Sequence, residues 1–365
     1  MDTKDKNSEH ASPGLAASDS ATMPVEGAGV AQPAEGSAIP ADGKQPKKSG
    51  TPFQESLRRL RRDVRAMVSI GFLLFFIILP IVGPPIYRNI GPEMVTSMGD
   101  HVTSQVYRDP FHQELDNQDQ GPSAYYWLGT DSIGRDLFSR LMQGMLISLV
   151  VAIVVEIVTV FLGIFFGVMA GYFGGWIDQI LARFTDIMFA FPGLLFAILL
   201  TGIFGSSADT TFSSIPLIGQ NGNARLVLVS IALALVQWPF IARLVRGQAL
   251  QLREQQFVEA ARSTGTTNFQ IIKRHIIPNL IAIIIVQVSL DLGGIIIGEA
   301  GLSFLGLGVQ PPGSSIGLMI SDAQNLVDTH PWEVLLPSIV LTIIVLAFSF
   351  LGDGLRDAFD PRSKD

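Results

Sequence analysis

An all-α membrane protein with six transmembrane helices is the fold class that three features of the sequence predict. The first is composition: a mean hydropathy of +0.40 with 48% hydrophobic residues is not that of an ordinary soluble domain. The second is a set of six long apolar segments, Ala66–Ile86, Leu141–Met169, Ile177–Phe204, Leu226–Val245, Leu280–Gly298 and Val334–Leu351. Each has about the 20 residues that a helix needs to cross a hydrocarbon core of roughly 30 Å. The third is the placing of basic residues beside these segments, which the positive-inside rule turns into an orientation.

With the N-terminus inside, the cytoplasmic flanks hold Arg58, Arg59, Arg61, Arg62, Arg65, Arg183, Arg243, Arg246, Arg253, Arg262, Lys273, Arg274, Arg356, Arg362 and Lys364. The outer flanks hold Arg88, Arg108, Arg135, Arg140 and Arg225. Fifteen against five puts both termini in the cytoplasm, and six spans have the matching parity.

Residues 1–50 are rich in Ala, Gly, Ser and Pro and have no apolar period. They bury too little to offset the entropy of ordering and are expected to be a disordered cytoplasmic tail. Residues 51–65, with five arginines between Phe53 and Arg65, form a basic amphipathic lead-in for anionic headgroups. The first transmembrane helix, 66–87, follows with no cleavable signal before it, so it is expected to be an uncleaved anchor. Residues 88–139 are a long acidic extracytoplasmic segment, expected to be ordered against the transporter mouth, because loops of this length are usually functional. Residues 140–352 make a five-helix core interrupted by a polar loop at 254–278, and 353–365 return to the cytoplasm. Pro192 is expected to kink the third span. The second outer loop, Gly205–Asn223, has turn chemistry, and the third, Gly301–Pro331, is expected to fold back over the pore.

The loop Glu259–Pro278, EAARSTGTTNFQIIKRHIIP, lies between two apolar runs. Phe257, Ala260, Ala261 and Thr264 recur at i, i+3, i+4 and i+7, giving a short helix one small, apolar face. Gly265 can end that helix at positive φ. Thr267 and Gln270 then have capping-box spacing for a second helix. The predicted product is a helix–turn–helix elbow shaped to seat in a partner's groove.

This elbow, together with WLGTDSIGRDLFSR (127–140), AGYFGGWID (170–178), DIMFAFPGLL (186–195), EAGLSFLGLGVQPP (299–312) and LGDGLRDAFDPR (351–362), resembles the C-type permease subunits of dipeptide/oligopeptide ABC importers. These are binding-protein-dependent inner-membrane components, and the likeness spans roughly residues 60 to 362. The resemblance implies the type I ABC importer permease fold in the cell membrane, with a cytoplasmic coupling elbow. It implies four partners: a second homologous permease, two ATPase subunits that bind ATP and Mg, and an extracytoplasmic substrate-binding protein. It assigns ATPase coupling to Phe257, Glu259, Ala260, Ala261, Gly265 and Pro278. The chain departs from the family pattern at His275, at Ile316 where a Trp is usual, and in its long N-terminal tail.

No phosphate-binding Gly-x-x-x-x-Gly-Lys-Ser/Thr loop, nucleophile elbow or metal-spaced histidine cluster is present in the sequence, and there is no cysteine. The chain is therefore expected to be no enzyme, to have no catalytic residue, metal or cofactor of its own, and to act as a conduit fuelled by its partners. A net charge of −7 with basic residues spread along the span ends gives no nucleic-acid surface.

Gly163, Gly167 and Gly171 form a small-residue ladder that permits close helix packing in lipid. Ionisable residues within spans are costly and point to function by default. Glu156 reads as structural. Asp291 and Glu299 are eight residues apart, about 80° around a helix and roughly 12 Å along it. With Gln287, they form the candidate pore and gate set: their shared face, with Ile295 and Gly298, is expected to meet the second permease, while Ser289 and Ile296 lie further round. An ion-gradient-driven secondary transporter with these carboxylates as cation sites is the alternative, though it leaves the elbow unexplained.

Overall fold

The computed structural model describes residues 52–96, 99–214 and 221–360. The tail 1–50, with its expected disorder, and Arg362 and Lys364 fall outside the described residues. In chain order the helices are α1 (Pro52–Leu60), α2 (Val64–Asn89), α3 (Ser104–Tyr107), α4 (Leu137–Val168), α5 (Gly175–Ala190) and α6 (Gly193–Phe212). There follow α7 (Ala224–Arg253), α8 (Gln256–Ser263), α9 (Asn268–Ile271), α10 (Ile277–Phe304), α11 (Ile316–Ala323) and α12 (Pro331–Phe359). A two-stranded antiparallel ribbon, β1 (Met94–Val95) with β2 (His101–Val102), is the one sheet among the described residues.

Six of these helical segments are long and apolar enough to cross a membrane: Val64–Asn89, Leu137–Phe173, Gly193–Phe212, Ala224–Arg253, Asn268–Phe304 and Pro331–Phe359. The third differs from the segment expected. Ile177–Phe204 is not one kinked span but two helices, α5 and α6, broken at Phe191 and Pro192. Proline disfavours helical geometry at the residue before it, and Phe191 accordingly sits at φ −91°, ψ 131°. Pro192 then starts α6, which continues to Phe212, so helix occupies part of the expected outer loop Gly205–Asn223.

The glycine ladder explains the central contact. A Cβ at Gly163 would lie 2.5 Å from Ile241 Cγ2, one at Gly167 2.7 Å from the Ala242 carbonyl oxygen, and one at Gly171 2.6 Å from the Arg246 carbonyl oxygen. All three partners lie on α7, so the ladder is the seam along which α4 and α7 of this chain approach. At the end of α4 the helix loosens into a π turn, Met169–Phe173, and Gly174 at φ +65° turns the chain into α5. Asp178 on α5 receives two hydrogen bonds from Arg246 on α7, which hold its carboxyl below the usual carboxylate range. Arg243 pairs with Asp186 at 3.2 Å and lies over the Phe189 ring at 3.9 Å.

The segment between α2 and α4 is ordered by buried charge. The Arg108 guanidinium, 1% exposed, donates to the backbone carbonyls of Tyr87, Ala124 and Tyr125 and lies 4.1 Å from the Tyr87 ring centroid. Asp131 accepts from Arg135 at 2.8 Å and from Arg140, and Asp322 accepts from Arg140 at 3.0 Å. This network joins the segment to α11. Ile316, at the position where a Trp is usual in the resembled pattern, is fully buried in the core.

Candidate functional site

The elbow is built as its residues predict. Gln255 at φ −77°, ψ 145° starts α8, and Gly265 at φ +79° ends it. Both halves of the Thr267/Gln270 capping box are present at the start of α9. The second helix does not stand alone, however. It passes through a π turn, Ile272–Ile276, directly into α10, making one apolar helical segment from Asn268 to Phe304. Pro278 explains the π turn: its ring clashes with a carbonyl one turn back and it offers no N–H, which a widened turn accommodates.

Two faces of the elbow behave differently. Val258, Ile271 and Ile276 are fully buried in a cluster with Val168, Tyr172, Val245 and Ala249 at the joined ends of α4 and α7. The periodicity that marked Phe257, Ala260 and Ala261 missed Val258, since one residue of an eight-residue helix gives no period. On the other side Phe257, Glu259, Ala260 and Thr264 are exposed and Phe269 is 73% exposed, while Ala261 is half-buried at the edge, packed against the anchoring cluster. The elbow thus presents a small apolar face to its surroundings while bolted to the spans from behind. His275 is half-buried, with its ring 6.0 Å from that of Phe257.

Within the spans, the structure separates the two carboxylates that the sequence placed on one face. The exposed stripe of α10 runs through Gly294, Ile297 and Phe304, and Gln287 and Asp291 lie half-buried at its edge. Gln287 Nε2 donates to Asp291 Oδ1 at 2.9 Å. Glu299 is a correction: it does not border an open face. It is fully buried, accepting from Ser148 Oγ on α4 at 2.5 Å and from Ser303 Oγ at 2.7 Å. Ile295 is buried beside it, and a Cβ on Gly298 would lie 3.1 Å from Leu233 on α7. The ~80° between the two carboxylates straddles the boundary between the helix's open and packed sides. Glu156 is 4% exposed, and neither carboxyl oxygen has a hydrogen-bond partner among the described residues.

Comparison with known proteins follows the same lines. The family described as "Binding-protein-dependent transport system inner membrane component" matches residues 163–365, and the "N-terminal TM domain of oligopeptide transport permease C" matches residues 51–96. The chain is 37% identical over 314 residues to the dipeptide transport system permease protein DppC of Alkalihalophilus pseudofirmus, covering 86% of this chain and 91% of that one. It is 39% identical over 320 residues to the glutathione transport system permease protein GsiD of Shigella flexneri serotype 5b, covering 88% and 94%. Among solved structures, a crystal structure of an amino acid ABC transporter with histidines aligns at 18% identity and a TM-score of 0.43, over 59% of this chain and 91% of that one. The chain is a member of the binding-protein-dependent transport system inner membrane component family, and is a transport permease, not an ion-gradient-driven carrier.

Proposed function

We propose that this chain is one of two permease subunits that form the path of an ATP-driven importer of short peptides. The observation that carries the coupling role is the elbow, whose small apolar face is exposed while its opposite side is anchored on α4 and α7. The residues offered to an ATPase groove are Phe257, Glu259, Ala260 and Ala261, with Gly265 and Pro278 setting the turns before and after α9. The relatives' names, dipeptide and glutathione permeases, favour peptides as cargo. Both termini and the elbow lie in the cytoplasm by the division of basic residues. A substrate-binding protein delivers cargo from the opposite side, and ATP with Mg is bound by the ATPase subunits.

Closure of an ATPase pair moves the groove, and the buried anchors carry that movement into the close-packed α4–α7 pair. Swinging a two-state equilibrium from 1:99 to 99:1 requires about 5.5 kcal/mol of differential binding. Two elbows, one on each permease, share that demand. Asp291, with Gln287, stands at the edge of α10's open stripe, where its carboxylate can meet a peptide's ammonium group.

Co-expression with candidate ATPase subunits, purification in mild detergent and reconstitution with the binding protein test this reading. ATPase subunits should co-purify, and peptide uptake should require ATP. A permease that retains no ATPase subunit under these conditions would overturn the proposal.

A further inference from the structure

We propose that Asp119, His330 and Glu333 form a site for a divalent transition-metal ion of the Zn²⁺ type, which ties the segment between the first two spans to the head of α12. The three residues each direct one ligand atom into a common space, all within 4.8 Å of one another. Ligand atoms on one tetrahedral Zn²⁺ with bonds of about 2.0–2.2 Å lie roughly 3.3–3.6 Å apart. Closure therefore draws atoms now up to 4.8 Å apart together by as much as about an ångström, within the reach of side-chain rotation.

One polar atom of each of the three residues is buried without a hydrogen-bond partner among the described residues. Glu333 is 2% exposed, and its Oε1 is buried without a hydrogen-bond partner. Asp119 Oδ1 and His330 Nδ1 are likewise buried and unpartnered. Burying a polar atom unpaired is costly, and two adjacent carboxyls add mutual repulsion. Of the neighbouring arginines only Arg140 eases the Glu333 charge, and only in part, because Arg135 and Arg140 are both held by Asp131 and Asp322. A dication between two carboxylates neutralises the group and supplies each orphaned atom with a partner. One imidazole nitrogen and two carboxylate oxygens form a donor set that suits Zn²⁺, with a remaining position open to water.

The ligands are held by backbone that is already fixed. His330 and Glu333 are three residues apart at the first turn of α12, on one face of the helix. The His330 N–H donates to the Leu326 carbonyl at 2.7 Å, and the Trp332 ring meets the imidazole edge-on at 5.1 Å. Asp119 comes from more than 200 residues earlier, at φ +49°, with its N–H on the Asp131 carbonyl at 3.0 Å. Asp119 and His330 are half-buried, which leaves an approach from solvent. His101 and His112 differ, each lying 3.8 Å from a single acid, Glu93 or Glu114.

The test uses the full-length chain, free of any histidine tag and stripped by a chelator, with Zn²⁺ as the probe. Titration against a chromogenic chelator and elemental analysis should give one Zn²⁺ per chain, and Zn²⁺ should raise the melting temperature. Glu333→Gln and His330→Ala should each weaken binding about tenfold or more and abolish that rise, whereas His101→Ala should change neither. If Glu333→Gln fails to fold, His330→Ala at its half-exposed position decides. Absence of stoichiometric Zn²⁺, as when Asp119 and Glu333 share a proton instead, overturns the proposal. So does binding that survives His330→Ala.

Discussion

The Tyr172 hydroxyl donates to Asn268 Oδ1 at 2.9 Å, joining the π turn that ends α4 to the helix that opens the second half of the elbow. Beside it Arg262 lies 5.8 Å from the Tyr172 ring centroid. One side chain of the α4–α7 unit thus reaches both halves of the elbow. Tyr172→Phe keeps the ring and removes one hydrogen bond, a loss of about 0.5–1.5 kcal/mol. Melting should change little, while peptide uptake per ATP hydrolysed falls in reconstituted transporter. Unchanged coupling in that assay would remove Tyr172 from the transmission path.

Gly265 separates a conformational requirement from a packing one. It holds φ +79°, yet a Cβ there would meet nothing within 4 Å. Only backbone preference should therefore sort substitutions. Gly265→Asn tolerates the left-handed region and should keep transport near normal, whereas Gly265→Val strains the turn by about 1–2 kcal/mol and should impair coupling. Membrane insertion should survive both, because the turn lies in the exposed loop. Equal uptake by the two variants would show that the turn geometry is dispensable.

A pH dependence follows from Asp136, the N-cap of α4. It is fully buried, and burial pushes its carboxyl up to about 6, while hydrogen bonds from Ser139, Phe138 and the Tyr87 hydroxyl pull the other way. An acid whose folded value is raised stabilises the fold fully below its unfolded value of about 3.9 and loses that contribution as pH rises through the folded value. The stake is on the order of 3 kcal/mol for a shift of this size. The wild-type melting temperature should therefore fall between pH 4 and pH 7 by more than that of Asp136→Asn, which keeps a capping side chain without the titration. Parallel curves for the two proteins would reject the assignment.

The sequence revealed the elbow because its determinants are local: a capping box, a glycine and a proline act within a turn or two of themselves. It revealed the membrane segments because apolar length reports burial in lipid directly. It failed where the answer depended on what stands opposite. Hydropathy runs unbroken through Phe191 and Pro192 and could not show that α5 is a separate helix tied to α7 by Asp178–Arg246 and Asp186–Arg243. Nor could angular spacing show which side of α10 faces Ser148. The Asp119–His330–Glu333 cluster was invisible for the same reason, its members being brought together only by packing across the chain.

Asp291 and Glu299 should now part company in experiment. Glu299 satisfies the Ser148 and Ser303 hydroxyls inside the packed side of α10, so it is a stability residue. Glu299→Ala empties that site and leaves buried hydroxyls unpaired, at about 1–3 kcal/mol for each left unsatisfied. Its yield and melting temperature should fall, and uptake should fall only in proportion to folded protein. Asp291 makes one bond, to Gln287 on its own helix, at the edge of the exposed stripe. Asp291→Asn keeps its shape and can still accept from Gln287, so melting should move by less than about 1 kcal/mol in equivalent stability. Uptake of a peptide with a free amino terminus should nevertheless decline, and an amino-blocked peptide should lose less, because only the first presents an ammonium group to the carboxylate. Equal losses for the two peptides would show that Asp291 does not meet the substrate's charge, and a purely thermal defect would make it a second packing residue like Glu299.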